Sequence, residues 1–183
     1  MKPVDRSSIL DYVTYEEQRD RLRPQILAEK ARRRVHVGDS LTLLFENETT
    51  VRYQVQEMVR IERIVKDADI RHELDTYNEL LGGPGELGAT LLIEIDDPVE
   101  RAAKLAAWME LPWRLYAELD DGERVYARFD ERQIGEGRLS SVHYVKFPVR
   151  GRTPVAVGCD LAGVDAHAVL SADTRAALSD DLK

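Results

Sequence analysis

Glu57, Arg60 and Glu62 crowd one stretch of charge, Gln56 to Arg63, beside an apolar stripe, where acids and bases could hold a ligand, move a proton or bind a metal. The stripe Val51, Val55, Met58, Glu62, Val65 repeats at spacings of four, three, four and three, so Glu62 takes a seam position where an apolar side chain belongs. A carboxylate there needs a partner such as an arginine, because an unpaired buried charge costs several kcal/mol. Tyr77 and Asn78, on the following helix, can bring polar groups to the same place. The candidate ligand-binding set is therefore Glu57, Arg60, Glu62, Tyr77 and Asn78. A structural ion pair and plain exposure stand as rival readings of Glu62. Ordinary helix-surface pairs, Glu57 with Arg60 and Glu62 with Lys66, account for much of the charge density at a few tenths of a kcal/mol each.

A metal reading starts from Asp69 and His72, three apart on one helical face, and takes Glu57 and Glu62 from the preceding helix. Glu57, Glu62 and His72 form the candidate ligand set, with iron or zinc as the metals such a set would suit, although nothing in the sequence requires a cofactor. The repeated Glu-x-x-His of di-iron bundles, His-Glu-x-x-His and paired cysteines are all absent. Cys159 reacts only if exposed near positive charge, and Asp160 beside it works against that. The glycines from Gly82 to Gly88 follow a helix and precede a strand, the reverse of a phosphate-binding order, and read as a loop.

The elements that must position these groups follow from spacing. Residues 14–34 read as a helix that Pro24 should kink or split. Val35 to Phe45 fits a turn and a strand broken at Gly38-Asp39. Asn47 caps the helix of the stripe, and a second helix from Asp67 or Asp69 carries Ile70, Leu74, Tyr77 and Leu81 until Gly82-Gly83-Pro84-Gly85 stops it. Leu87 to Ile95 is nearly all apolar, as a central strand would be. Asp97-Pro98-Val99-Glu100 opens an Ala-rich helix. From Trp113 the period changes to two: a hairpin turns at Asp121-Gly122, Leu139 to Val149 makes another strand, and Arg150-Gly151-Arg152 leads into Val155 to Cys159. Ser171 caps a terminal helix. The order predicts a single α+β domain over 1–183, with a mainly antiparallel sheet formed by a C-terminal meander and packed with helices from the N-terminal half.

A chain of 183 residues buries about two-thirds of its unfolded surface without a metal or disulfide staple. Its net charge of −8 repels polyanions, which argues against nucleic acid as a partner. The run Lys30-Ala31-Arg32-Arg33-Arg34 falls at a helix end, where cations offset the helix dipole. One cysteine, no leader-like apolar run and no stretch of about 20 apolar residues make the expected location the cytoplasm, with no membrane partner.

Two longer stretches carry a family likeness. Val37-Gly38-Asp39, Leu41 to Asn47 and Tyr53 to Arg63 form the first; Glu73 to Leu81 followed by Leu87 to Glu94 forms the second. Together they resemble a bacterial family catalogued as a domain of unknown function, with the match covering at least residues 35–95. Proteins of this kind tend to be encoded beside rubrerythrin-type di-iron proteins and iron–sulfur oxidoreductase subunits. The resemblance thus implies a non-catalytic accessory or interaction protein in an iron-linked redox or oxidative-stress pathway, with a redox protein as partner. It brings no catalytic residue with it. The alternatives are a small metal-dependent enzyme or metal-binding protein with a site between the two central helices, and a small-ligand module using a sheet concavity near Trp113, Tyr116 and Tyr126.

Overall fold

Leu41-Thr42-Leu43-Leu44-Phe45 is buried at every position because this strand, β2 (Leu41–Phe45), has strands on both edges and covered faces on both sides. The computed structural model describes all 183 residues. β2 pairs antiparallel with β1 (Arg34–Val37) on one edge and β3 (Leu87–Ile93) on the other. β6 (Val142–Phe147) completes this first sheet beside β3, with Leu91 opposite His143. A second antiparallel sheet has the order β5 (Arg124–Tyr126), β4 (Leu115–Glu118), β7 (Ala156–Cys159), β8 (Ala166–Val169).

The inner faces of the two sheets share one core, to which Leu43, Phe45, Leu91 and Phe147 come from the first and Leu115, Ala117, Val157 and Cys159 from the second. Each large apolar side chain buried there contributes roughly 1.5–3 kcal/mol. Along one side the Arg128 and Lys146 backbones exchange two hydrogen bonds of 2.7 Å, and along the other β1 lies against β8. The strands therefore nearly close around the core. The α+β class with antiparallel pairing matches the expectation. The hairpin at Asp121-Gly122 is present, but the strand after it crosses to the first sheet and the chain then returns for β7 and β8. β8 was not foreseen, since Ala166-His167-Ala168-Val169 is too short to show a period.

Helices cover the first sheet. α2 (Glu48–Ile61) starts at Asn47, whose side chain accepts from Thr50 N–H while the Thr50 hydroxyl accepts from Asn47 N–H. Val51, Val55 and Val59 of α2 meet Ile70 and Leu74 of α3 (Asp67–Asn78) in a second apolar cluster, which Val4 and Ile9 of the N-terminal arm complete. α1 (Tyr12–Ala31) continues past Pro24 as one helix, so the expected split does not occur. Proline removes one helical hydrogen bond, and Pro24 lies on the exposed side where water can take up the freed carbonyl. Pro98 opens α4 (Pro98–Ala107), with Asp97 accepting from Glu100 N–H at 2.7 Å. A single turn, α5 (Leu111–Arg114), precedes β4, and α6 (Ala172–Asp181) ends the chain behind the Ser171 cap.

Two features give local sequence a tertiary role. A Cβ on Gly88 would collide with the Leu80 carbonyl, so this glycine answers to close backbone approach. Arg33, one of the basic run at the end of α1, is only 3% exposed, with Asp181 at 2.8 Å and Glu29 at 2.6 Å. That clamp ties α6 to the end of α1.

Candidate functional site

Glu57 lies on the side of α2 that faces α1, and its carboxylate is the centre of a charged network. Oε1 accepts from the Tyr15 hydroxyl at 2.7 Å and Arg19 Nε at 2.8 Å; Oε2 accepts from Arg60 at 3.1 Å, and Arg60 also reaches Glu16. Burial pushes the Glu57 carboxyl upward, but the hydrogen bonds from Arg19, Tyr15 and Arg60 outweigh it and hold the group below the ordinary carboxylate value. Burial, with the Glu57 carboxylate beside it, raises the Tyr15 hydroxyl above its usual range. With three donors already in place, Glu57 is spent on joining α1 to α2.

Glu62 is not on the seam. α2 ends at Ile61, and Arg63 adopts a left-handed φ of 51°, so that Ile64 N–H turns back to the Val59 carbonyl at 3.0 Å. This is a Schellman stop with arginine in the place usually held by glycine. It turns the chain before Glu62 can face inward, leaving Glu62 and Val65 exposed while Val59 takes the buried position. His72 is also exposed, on the outer side of α3. Glu57, Glu62 and His72 are thus not brought together, and no group of three or more His, Cys, Asp or Glu side chains is placed to share a metal ion.

Asn78 and Gln56 act on the N-terminal arm. Asn78 Oδ1 accepts from Val4 N–H at 2.7 Å while Nδ2 donates to the Val4 carbonyl; Gln56 does the same to Leu10, both bonds at 2.9 Å. Asn78, expected to serve a ligand, therefore holds the chain's own backbone, as Gln56 does. Tyr116 is buried, with Tyr126 at 6.1 Å and the Arg124 guanidinium 4.2 Å above its ring, and Trp113 packs edge-on against Phe129 at 4.8 Å. Tyr116 and Tyr126 are a cross-strand pair of β4 and β5, while Trp113 packs from the turn α5. Cys159 is buried in β7, and burial pushes its thiol up, away from reactivity.

Of the expected residues, Arg60 lines an open cavity of about 620 Å³ between α1 and the end of α2, and Tyr77 borders one of about 490 Å³, formed between the end of α3, the segment after β5, and β6. In the latter, Tyr77, Leu80 and Phe129 provide apolar walls, Arg128 and Lys146 provide cations, and Glu79 and Asp130 provide carboxylates, of which Asp130 is paired with Arg132 at 2.5 Å. Arg128 reaches Glu86 at 3.7 Å, while Lys146 forms no ion pair. Gln133 and Tyr144 complete the rim beside β6. The alternation Arg124 to Phe129 marked Arg128 as outward-facing, but only the crossing of β6 to the first sheet brings it to Lys146 and α3.

The sequence profile described as "Protein of unknown function (DUF3501)" matches residues 3–182. The chain is similar to a solved structure, a crystal structure of a protein of unknown function from Burkholderia pseudomallei, at 33% identity, with all of both chains covered and a TM-score of 0.90. No curated protein matches it.

Proposed function

This chain belongs to the DUF3501 family, and from that premise we propose that it is a non-catalytic interaction protein whose cleft beside β6 receives an acidic segment of a partner protein. The observation that carries this reading is the cleft itself. Its apolar walls, Tyr77, Leu80 and Phe129, stand next to Lys146, which forms no ion pair, while Arg128 is paired with Glu86 and Asp130 with Arg132, and Glu79 lies on the same lining. Apolar surface supplies affinity, and an uncompensated cation selects the sign of the partner's charge. In a chain of net charge −8, a cation without an ion pair beside apolar walls is a local exception to a field that otherwise repels acidic segments. The redox protein partner and the oxidative-stress setting beside rubrerythrin-type proteins enter this proposal from the family resemblance, as the source of the segment.

Selection of displayed random octapeptides on the intact chain tests the reading. Recovered peptides should be rich in Asp or Glu beside an aromatic or large aliphatic residue. Their binding should fall at least tenfold with Lys146→Glu and with Phe129→Ala, each variant melting close to the parent. Peptides indifferent to both substitutions, or no peptides at all, would overturn it.

A further inference from the structure

β6 is paired on only one edge for most of its length. Its His143, Val145 and Phe147 positions pair with β3, and the backbone groups of Tyr144 and Lys146 point the other way, into the cleft. Lys146 is met there by the Arg128 backbone, as in an ordinary antiparallel ladder. Two residues further on, such a ladder would set Asp130 opposite Tyr144. The chain instead turns at Asp130, whose carboxylate accepts from Arg132 N–H at 2.9 Å, into the short 3-10 turn Glu131–Gln133. The Gln133 side chain then comes back to the strand. Tyr144 N–H donates to Gln133 Oε1 at 2.7 Å, and Gln133 Nε2 donates to the Tyr144 carbonyl at 3.1 Å. A side-chain amide thus makes the two bonds that a neighbouring strand would make.

Open strand edges template pairing with other chains, and folded proteins guard them. Here the guard is two side chains, the Gln133 carboxamide on Tyr144 and the Ser140 hydroxyl, which accepts from Val142 N–H at 3.2 Å, and the outer face of the strand is accessible, with Tyr144 42% and Val142 40% exposed. We infer that the outer edge of β6 is a strand-addition site: an extended segment of the partner displaces the Gln133 carboxamide from Tyr144 and the Ser140 hydroxyl from Val142 N–H, and pairs its own backbone with both residues. This rests on the cleft being the docking site and specifies how it is filled. Successive side chains of an added strand point to opposite faces, so those on the helix side enter the cleft between Tyr77 and Phe129, within reach of Lys146. Gln133 competes with the partner from within the chain, and its removal raises the fraction of the chain that is ready to bind.

Synthetic octapeptides from the selection above, with versions N-methylated at alternate residues, provide the test. Gln133→Ala should tighten binding roughly fivefold or more, the two plug bonds no longer having to be broken. Gln133→Glu, which keeps the shape but cannot donate to the Tyr144 carbonyl, should act in the same direction and stands in if the alanine variant fails to fold. Methylation in one alternate register should abolish binding and in the other leave it intact, and the Tyr144 amide should stay protected from exchange when peptide is bound. Equal effects of both registers, with no gain from either Gln133 variant, overturn strand addition. If binding still falls with Lys146→Glu, the cleft remains the docking site; if it does not, that reading falls as well.

Discussion

The Asn78 carboxamide holds both backbone polar groups of Val4, accepting from its N–H at 2.7 Å and donating to its carbonyl at 3.1 Å. Val4 and Ile9 on either side of the short turn Arg6–Ser8 are buried against α2 and α3, and Arg6 reaches Asp67 at 2.7 Å. Asn78→Ala should loosen the arm at a cost of about 1–3 kcal/mol, since it leaves two backbone groups without partners. Urea melts give the cost. Hydrogen exchange should accelerate at Val4 first and at Leu10 less, because Gln56 still holds Leu10; unchanged exchange at Val4 would show that the arm is held by packing alone.

Glu57 and Glu62 are five residues apart and should behave oppositely. Glu57, 12% exposed, satisfies Tyr15, Arg19 and Arg60, so Glu57→Gln should cost about 1–3 kcal/mol. Glu62→Gln should change stability by less than ~0.5 kcal/mol. The Glu57 carboxyl is held below its unfolded value, so its stabilisation is present above about pH 4.3 and is lost as pH falls through the folded value. Melts of the parent and Glu57→Gln from pH 6 to 3 should converge at the acid end.

His143 is fully buried in β6. Its Nε2–H donates to the Ser140 carbonyl at 2.9 Å, and Nδ1 has no partner. Burial lowers its affinity for a proton, despite the Ser140 bond acting the other way. The unfolded chain therefore takes up a proton near pH ~6.5 that the folded chain refuses, so stability is full above that pH and falls below it, by at most about 1.4 kcal/mol per pH unit. His143→Leu should remove this slope between pH 6.5 and 5. A parent and variant with parallel profiles in that window would mean that the ring is protonated in place.

Arg63 holds a left-handed backbone conformation that costs a residue with a side chain about 1 kcal/mol relative to glycine. Arg63→Gly should accordingly stabilise the chain by a few tenths to 1 kcal/mol in thermal melts. A loss instead would show that the arginine side chain contributes more than its backbone strain costs.

Short-range features of the chain were legible before any coordinates. Asn47, Asp97 and Ser171 cap their helices because a cap is a contact over two or three residues, and the Asp121-Gly122 hairpin follows from turn chemistry of the same reach, whereas α3, expected to run to Gly82, ends at Asn78. The apolar run at β3 correctly marked a strand enclosed on both sides. The phase of α2 was misread because its stop lacks glycine: a stripe counted on to Glu62 and Val65 fits the sequence as well as one ending at Val59. Only the fold decides between them, through the packing of Val59 and Ile64 against α3.

The candidate site depended on distance along the chain. Tyr77, Arg128, Gln133 and Lys146 lie on three separate segments and meet because β6 pairs with β3 instead of with the hairpin that precedes it. Pairing across such separations depends on which faces of the whole molecule can be buried together, and no local pattern encodes that. Composition and spacing therefore established the elements and their class. The three-dimensional arrangement alone determined which polar groups were consumed in holding the chain together and which cation was left facing water.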